Sequence, residues 1–356
     1  MTKPNKPMNI VFSTTRQWNP GDEFILMGSM NLLRHAVGEF NPIIYNRNPQ
    51  IRRARRHDWI KRIDNLLGKD FLEKFLDNSV KDRLPMDYAD MVVFAGSPEW
   101  RGLRMTKLYR SIREYQLPTL FMGLGTSGKF TFDDRHFTAD EQAVFKAAKL
   151  ITCRDTDTKE SLQPLPVHQL PCPALFSSPT QQQVKEVKRI GLIYGTKSAV
   201  ACNNVSEHTH DYLMQIYRHI LARYGDSYEI EFVAHYIDEL SPFPQDFPGQ
   251  TLRYSFDSKD YLEIFGRYDL VIGHRVHGIG ISASQGIPGI MIAHDPRAVT
   301  VKGFQAAMVP VGAPLAELEQ LIDERLADIG RFSQALLEHK AATQTRYLDL
   351  FAAAGL

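Results

Sequence analysis

Short apolar runs, each ending in glycine or in charged residues, alternate along this chain with longer stretches whose apolar positions return every three or four residues. The first pattern is that of parallel strands buried on both faces, the second that of amphipathic helices. Ile10–Phe12 predicts a strand within Asn9–Ser13. Asn19-Pro20-Gly21 then supplies turn chemistry, and Ile25, Leu26, Gly28, Ser29, Leu32, Leu33 and Ala36 lie at helical spacing up to Gly38. Asp22 is the expected N-cap of that helix, with Glu23 in its first turn. Ile43–Tyr45, Met91–Phe94, Pro118–Met122 and Leu150–Thr152 read as further strands, with helices over Thr106–Tyr115 and Thr138–Lys149. Two of these strands run into glycine loops, Ala95-Gly96-Ser97 and Gly123-Leu124-Gly125, and a third delivers Arg154 and Asp155. Leu165–Thr180, rich in proline and serine and without helical period, reads as a linker between domains.

The alternation then restarts. Ile190–Tyr194 and Ile230–His235 read as strands around a helix at Glu207–Tyr224, a short strand lies near Tyr254 and Phe256, and Ser258 is expected to cap a helix to Phe265. Asp269–Asp295 organises this half. Leu270–Ile272 is a buried-strand run broken by Gly273, and His274, Arg275 and His277 follow at once. A helix of small residues (Gly278, Gly280, Ser282, Ala283, Ser284) comes next, closed by Gly286 with Pro288 beyond, and Ile290–Ala293 returns as a strand. From Pro314 onward the chain reads as helix. Repeated strand–helix alternation predicts an α/β protein of two Rossmann-like, doubly wound domains facing across a cleft, at 1–178 and 179–315, with a helical tail at 316–356.

At 356 residues the chain is long enough for two cores. Its net charge of +1 argues against a general nucleic-acid binder. Three cysteines without CxxC spacing give neither a disulfide framework nor a zinc site and fit a reducing cytosol. The N-terminus has no signal-peptide pattern and no apolar run is long enough to span a bilayer, so a cytoplasmic protein is expected. A basic stretch from Arg52 to Arg62 reads as one face of an amphipathic helix, either a solvated surface or a peripheral docking patch for the inner face of the cell membrane or a lipid-linked acceptor. No GxGxxG or Walker loop is present. His208 and His210 form an HxH pair beside Glu207 and Asp211, but i,i+2 residues diverge on a helix, and no metal is expected there.

The segments NPGDEFI (Asn19, Gly21, Asp22, Glu23), CRDTDTKESL (Arg154, Asp155, Ser161), LPCPAL and above all DLVIGHRVHGIGISASQGIP together resemble the polysaccharide pyruvyl transferase family, with Arg275, His277, Gly286 and Pro288 on its most specific motif. Two positions depart from its common pattern: Ala95-Gly96-Ser97 stands for a triple-glycine loop, and His274 for a serine. The resemblance covers about residues 8 to 310. It implies a glycosyltransferase-B-like fold, the N-terminal domain on the acceptor side and the C-terminal domain on the donor side. It further implies transfer of a pyruvyl group from phosphoenolpyruvate, as donor substrate and with no cofactor, to two hydroxyls of a sugar in a cell-surface polysaccharide or its lipid-linked precursor.

Such a site must hold a carboxylate and a phosphate and must move a proton near neutral pH. Arginine suits the anions, and histidine, with a reference pKa of about 6.5, suits the proton. The expected catalytic set is His277 as general acid/base, with Arg275 and Arg154 clamping the donor from the two domains and the helix dipole beside them. Gly21, Asp22, Glu23, Gly96, Ser97, Gly125, His274 and Asp295 are expected to line the substrate site. Each has a plainer reading: His277 and His274 as structural histidines, Arg154–Asp155 as a turn-fixing ion pair, Asp22 and Glu23 as helix caps. Asp295 could orient His277 or meet sugar hydroxyls. Two other readings use the same residues, a glycosyltransferase with a nucleotide-activated sugar and a non-catalytic glycan- or anion-binding protein.

Overall fold

The computed structural model describes residues 7–15, 19–46, 66, 85–97, 100–101, 105–126, 128–197 and 205–356. In chain order the first half runs β1 Met8–Thr14, α1 Pro20–Val37, β2 Phe40–Asn46, β3 Met91–Ser97, α2 Thr106–Glu114, β4 Thr119–Leu124, α3 Ala139–Ala147, β5 Leu150–Cys153, α4 Thr156–Ser161 and β6 Val167–Gln169. A 3-10 turn, Pro173–Phe176, leads into the second half. There follow β7 Arg189–Ile193, α5 Glu207–Tyr224, β8 Glu229–Val233, α6 Phe243–Asp246, β9 Leu252–Arg253, α7 Tyr261–Gly266, β10 Leu270–Gly273, α8 Val276–Ser284, β11 Gly289–Ala293, β12 Ala307–Pro310, α9 Leu315–Ala327 and α10 Ile329–Ala353.

The strands form two sheets, ordered β2-β1-β3-β4-β5-β6 and β12-β11-β10-β7-β8-β9. Pairing is parallel throughout, as in β1 against β3 (Ile10↔Met91) and β7 against β10 (Ile190↔Leu270). Strand order reverses between β1 and β3 in the first sheet and between β7 and β10 in the second. Such reversals open a crevice beyond the carboxyl ends of the strands, where doubly wound sheets bind ligands. Burial on both faces explains the unbroken apolar composition of β4 and β10, every residue of which is buried. One core joins the second sheet to the inner face of the first through α1, while an aromatic cluster covers the first sheet's other face. In that cluster Phe121 stacks on Phe94 and Phe145 at 4.5 and 3.9 Å between centroids.

Helix ends follow their local chemistry. Asn19 rather than Asp22 caps α1: Asn19 is extended, Pro20 takes the first helical position, and the Asn19 Oδ1 accepts from the Gly21 N–H at 3.0 Å. At the other end Gly38, with φ 75°, ends the helix. Thr138 and Glu141 form a reciprocal capping box on α3. Asp257, not Ser258, caps the turn before α7. The Leu165–Thr180 segment is more than a linker. It carries edge strand β6 and the buried Pro173–Phe176 turn, which wedges between α1 and α8. Close approach needs glycine there, since a Cβ on Gly28 would lie 1.7 Å from the Pro173 carbonyl oxygen. Strand β12 also lacks an alternating pattern that sequence reading could find.

The C-terminal helix α10 runs back to the first half. Tyr347, fully buried, donates to the Pro171 carbonyl at 2.8 Å and meets the Phe176 ring edge-on. Residues Arg52–Arg62, with the helix expected there, lie outside the described residues. Among the described residues no helix is long and apolar enough to cross a membrane.

Candidate active site between the two sheets

Arg154 is the first residue beyond β5, and its N–H donates to the Leu124 carbonyl at 2.9 Å. That bond ties it to the end of β4, where Gly125 leaves room for its guanidinium: a Cβ on Gly125 would lie 2.3 Å from Arg154 Nε. From the other sheet, β10 ends at Gly273 and α8 begins at Val276, so His277 occupies the first helical turn. The two side chains meet across the gap, Arg154 Nη1 at 2.9 Å from His277 Nε2. Arginine can only donate, so Nε2 accepts and the imidazole is neutral with its proton on Nδ1. Burial, then the Arg154 charge, holds the His277 pKa well below the usual histidine value. Gly21, at the N-terminus of α1, gives clearance on the opposite side of the ring: a Cβ there would lie 2.5 Å from Nδ1. Arg154 itself is 8% exposed, and its Nε is buried with no hydrogen-bond partner among the described residues. A buried guanidinium N–H left open in this way is a ready contact for an anion.

Arg275, two residues before His277, is largely committed within the protein. Its Nη2 donates to Glu239 Oε1 at 2.8 Å, and its guanidinium lies 4.8 Å from the centre of the Tyr236 ring. Glu239 has no exposed surface, and its other oxygen accepts from the backbone N–H groups of His235 and Tyr236 at 2.7 and 3.1 Å. Burial pushes its carboxyl pKa up, with the Arg275 charge opposing. The Tyr236 hydroxyl in turn donates to Asn19 Oδ1, the cap of α1, at 3.2 Å.

Around this centre the other expected residues divide. His274 is 1% exposed and rests against Gly195, 5.6 Å from the His294 ring. Burial lowers its pKa, as it does for His235, which falls to about 3. Asp22 and Glu23 are buried in the first turn of α1, and the Asp22 charge reaches the Cys172 thiol, whose sulfur lies 4.0 Å from His277 Nε2. Gly96 has φ 58° and sits against Ile25 of α1, while the Ser97 side chain lies outside the described residues. Asp295 is engaged by Arg297 through both carboxylate oxygens and stands 3.5 Å from His294, rather than orienting His277. Arg154, His277, Gly21 and Gly125 therefore converge, and Arg275 joins them through Tyr236. Glu239, Tyr236 and Cys172 were not foreseen. Their only sequence signal is an acidic residue shortly after a strand and a cysteine in a proline-rich stretch.

Among the described residues no group of three or more His, Cys, Asp or Glu is arranged to hold a metal ion.

Two parallel doubly wound sheets facing each other, with polar side chains from both meeting between them, place the fold in the glycosyltransferase-B-like class. The family model described as polysaccharide pyruvyl transferase matches residues 19–296, and the chain belongs to that family. Among curated proteins, none matches in sequence. The fold is similar to that of a putative UDP-N-acetylglucosamine 2-epimerase from Listeria monocytogenes, at TM-score 0.53 and 12% identity over 93% of this chain and 91% of that one. It is also similar to S. aureus MnaA solved with UDP, at TM-score 0.50 and 13% identity over 92% and 90% of the chains. A third, the Methanocaldococcus jannaschii UDP-GlcNAc 2-epimerase solved with UDP-GlcNAc and UDP, matches at TM-score 0.50 and 9% identity over 90% and 93%. At these identities the likeness is one of fold.

Proposed function

We propose that this transferase moves a pyruvyl group from phosphoenolpyruvate to two hydroxyls of one sugar, forming a cyclic ketal on a cell-surface polysaccharide or its lipid-linked precursor. The observation that carries the proposal is the contact between Arg154 and His277, a permanent cation from one half against a neutral imidazole from the other. Phosphoenolpyruvate brings a carboxylate and a phosphate. Either anion docking on Arg154, with its open Nε, offsets the charge that depresses the imidazole and raises its affinity for a proton. As the anion draws Arg154 off the imidazole, the Nε2 lone pair that accepted from Nη1 is released, and His277 takes a proton there from a sugar hydroxyl and delivers it to the methylene carbon of the donor. The hydroxyl oxygen attacks the oxocarbenium-like carbon that results. The second hydroxyl closes the ring as inorganic phosphate departs with the remaining proton. Of the two hydroxyl protons, one ends on the new methyl group and one on phosphate. Arg275 supplies a fixed positive charge at the same helix N-terminus, where the dipole of α8 favours anions.

The test is phosphate release from phosphoenolpyruvate in the presence of candidate acceptor glycans, together with Tm measured with each donor. Phosphoenolpyruvate raising Tm, and acceptor-dependent phosphate release that His277→Gln reduces by at least about a hundredfold, supports the reading. Release by that variant within about tenfold of the parent removes His277 from the mechanism. Protection by a nucleotide diphosphate and not by phosphoenolpyruvate moves the chain to nucleotide-sugar chemistry.

A further inference from the structure

Glu239 is a carboxylate with no exposed surface, and such a group persists only when its hydrogen-bonding capacity is met. One oxygen takes the Arg275 guanidinium; the other takes the backbone N–H groups of His235 and Tyr236. The two backbone contacts close the chain after β8 into a tight turn, in which the Glu239 N–H donates back to the Tyr236 carbonyl at 3.0 Å. Tyr236 presents its ring to Arg275 at 4.8 Å and its hydroxyl to Asn19 at 3.2 Å. Asn19 is the cap that starts α1 and sits two residues before Gly21, the residue against which the His277 ring lies. An unbroken chain of contacts therefore runs from a buried acid in the second half, through Arg275 and Tyr236, to the helix start in the first half that borders His277.

We propose that Glu239 is a positioning residue of the transfer reaction: it fixes the direction of Arg275 and, through Tyr236, the seating of the N-terminal turn of α1 beside His277. Glu239 touches no substrate in this role. It sets where a guanidinium points, and it holds the loop whose tyrosine bridges the two halves. An ion pair this buried loses far more when one member is removed than it gained on forming, because the partner is left with an uncompensated charge. Replacing Glu239 by glutamine frees Arg275 to swing while keeping size and one acceptor oxygen. Replacing it by aspartate keeps the charge and shortens the reach.

This inference rests on the pyruvyl-transfer reading for its kinetic arm, and a second arm stands without it. Glu239→Gln, Arg275→Ala, the double variant and Glu239→Asp are made in the full chain. In the kinetic arm, kcat/KM for phosphoenolpyruvate should fall at least about tenfold in Glu239→Gln and recover in part in Glu239→Asp. In the Arg275→Ala background, adding Glu239→Gln should change kcat/KM less than threefold, since the lost charge acts through that arginine while the amide oxygen still holds the His235 and Tyr236 N–H groups. Full multiplicative losses in the double variant would overturn the proposal. In the second arm, inorganic phosphate is titrated calorimetrically into the same four proteins. Weaker phosphate binding in Glu239→Gln that disappears as an effect when Arg275 is alanine supports the positioning role even if no pyruvyl transfer is found. Unchanged phosphate affinity in a folded Glu239→Gln protein counts against it. Tm of each variant separates misfolding from misdirection: should Glu239→Gln unfold, Tyr236→Phe, which removes the hydroxyl that bridges to Asn19, must lower kcat with Tm within a few degrees of the parent, and parental kcat there refutes the link to α1.

Discussion

At the scale of single residues, the site is shaped as much by absent side chains as by present ones. Gly21 and Gly125, expected to line the substrate site, lie against the proposed catalytic side chains His277 and Arg154 respectively. Gly21→Ala should push the imidazole off its contact with Arg154 and lower kcat at least about tenfold, with little change in Tm, because the loss is one of geometry at the reacting group. Activity equal to the parent's would show that His277 has freedom the packing denies it. Buried histidines also tie stability to pH. His235 and His274 titrate in the unfolded chain near about 6.5, but burial lowers both in the folded protein, His235 to about 3. The unfolded state therefore takes up protons first as pH falls. Stability is full above about pH 6.5 and declines below it, by up to about 1.4 kcal/mol per pH unit for each histidine. A Tm series from pH 7.5 to 5 checks the sign, and His235→Phe should flatten the slope by about one proton. A Tm that rises over that interval would contradict the assignment of these rings as buried and neutral. The same residues show the limit of reading function from a motif. Arg275 and His277 are two positions apart in the sequence, yet one is bound to a buried acid and the other faces the opposite half of the molecule.

At the scale of elements, two helices approach each other with a turn between them. α1 and α8 both lay small residues against Pro173–Phe176, Gly28 on one side and Gly280 on the other, where its would-be Cβ lies 3.3 Å from Ala174 Cβ. This turn sets how far apart the two N-termini stand, and hence where Gly21 and His277 meet. Gly28→Ala should be among the most damaging single methyl additions in the protein, since the new carbon would stand 1.7 Å from a backbone oxygen that cannot swing away. Loss of soluble folded protein, or a fall of more than about 2 kcal/mol in unfolding free energy, is the expected result. Helix starts and stops were legible where the chemistry is local. Asn19-Pro20-Gly21, Gly38 and Thr138 with Glu141 announce themselves, though the cap of α1 is Asn19, three residues before the expected Asp22. The Pro173–Phe176 turn carries no periodicity, so nothing in its own sequence reveals that it is buried between two helices from different halves.

At the scale of the whole molecule, the chain closes on itself. After crossing into the second half it returns along α10, where Tyr347 docks on Pro171 and Phe176, and Lys340 donates to the carbonyls of Ser178 and Ser284, the latter at the end of α8. The helix thus braces the turn that separates α1 from α8. Tyr347→Ala should cost about 3 kcal/mol or more by opening a cavity in that contact, and Tyr347→Phe about 1 kcal/mol by leaving the Pro171 carbonyl without its donor. Chemical unfolding of both variants distinguishes a packed brace from a loosely attached tail, which would leave the midpoint unchanged. If the brace holds the two halves in register, the alanine variant should also lose turnover more steeply than stability alone accounts for.

The sequence by itself determined the alternation of strands and helices, the division into two doubly wound sheets, the family, and the residue types that an anion and a proton require. These follow from patterns of a few residues, where burial period, glycine, proline and capping chemistry act locally. Only the tertiary structure decided that Arg154 answers His277 across the interface, that Glu239 holds Arg275, and that Gly21 and Gly125 serve as clearance for neighbouring side chains. Each of these depends on residues far apart in the sequence being brought within a hydrogen bond's length, and distance in space is set by the packing of the whole core rather than by any stretch of chain.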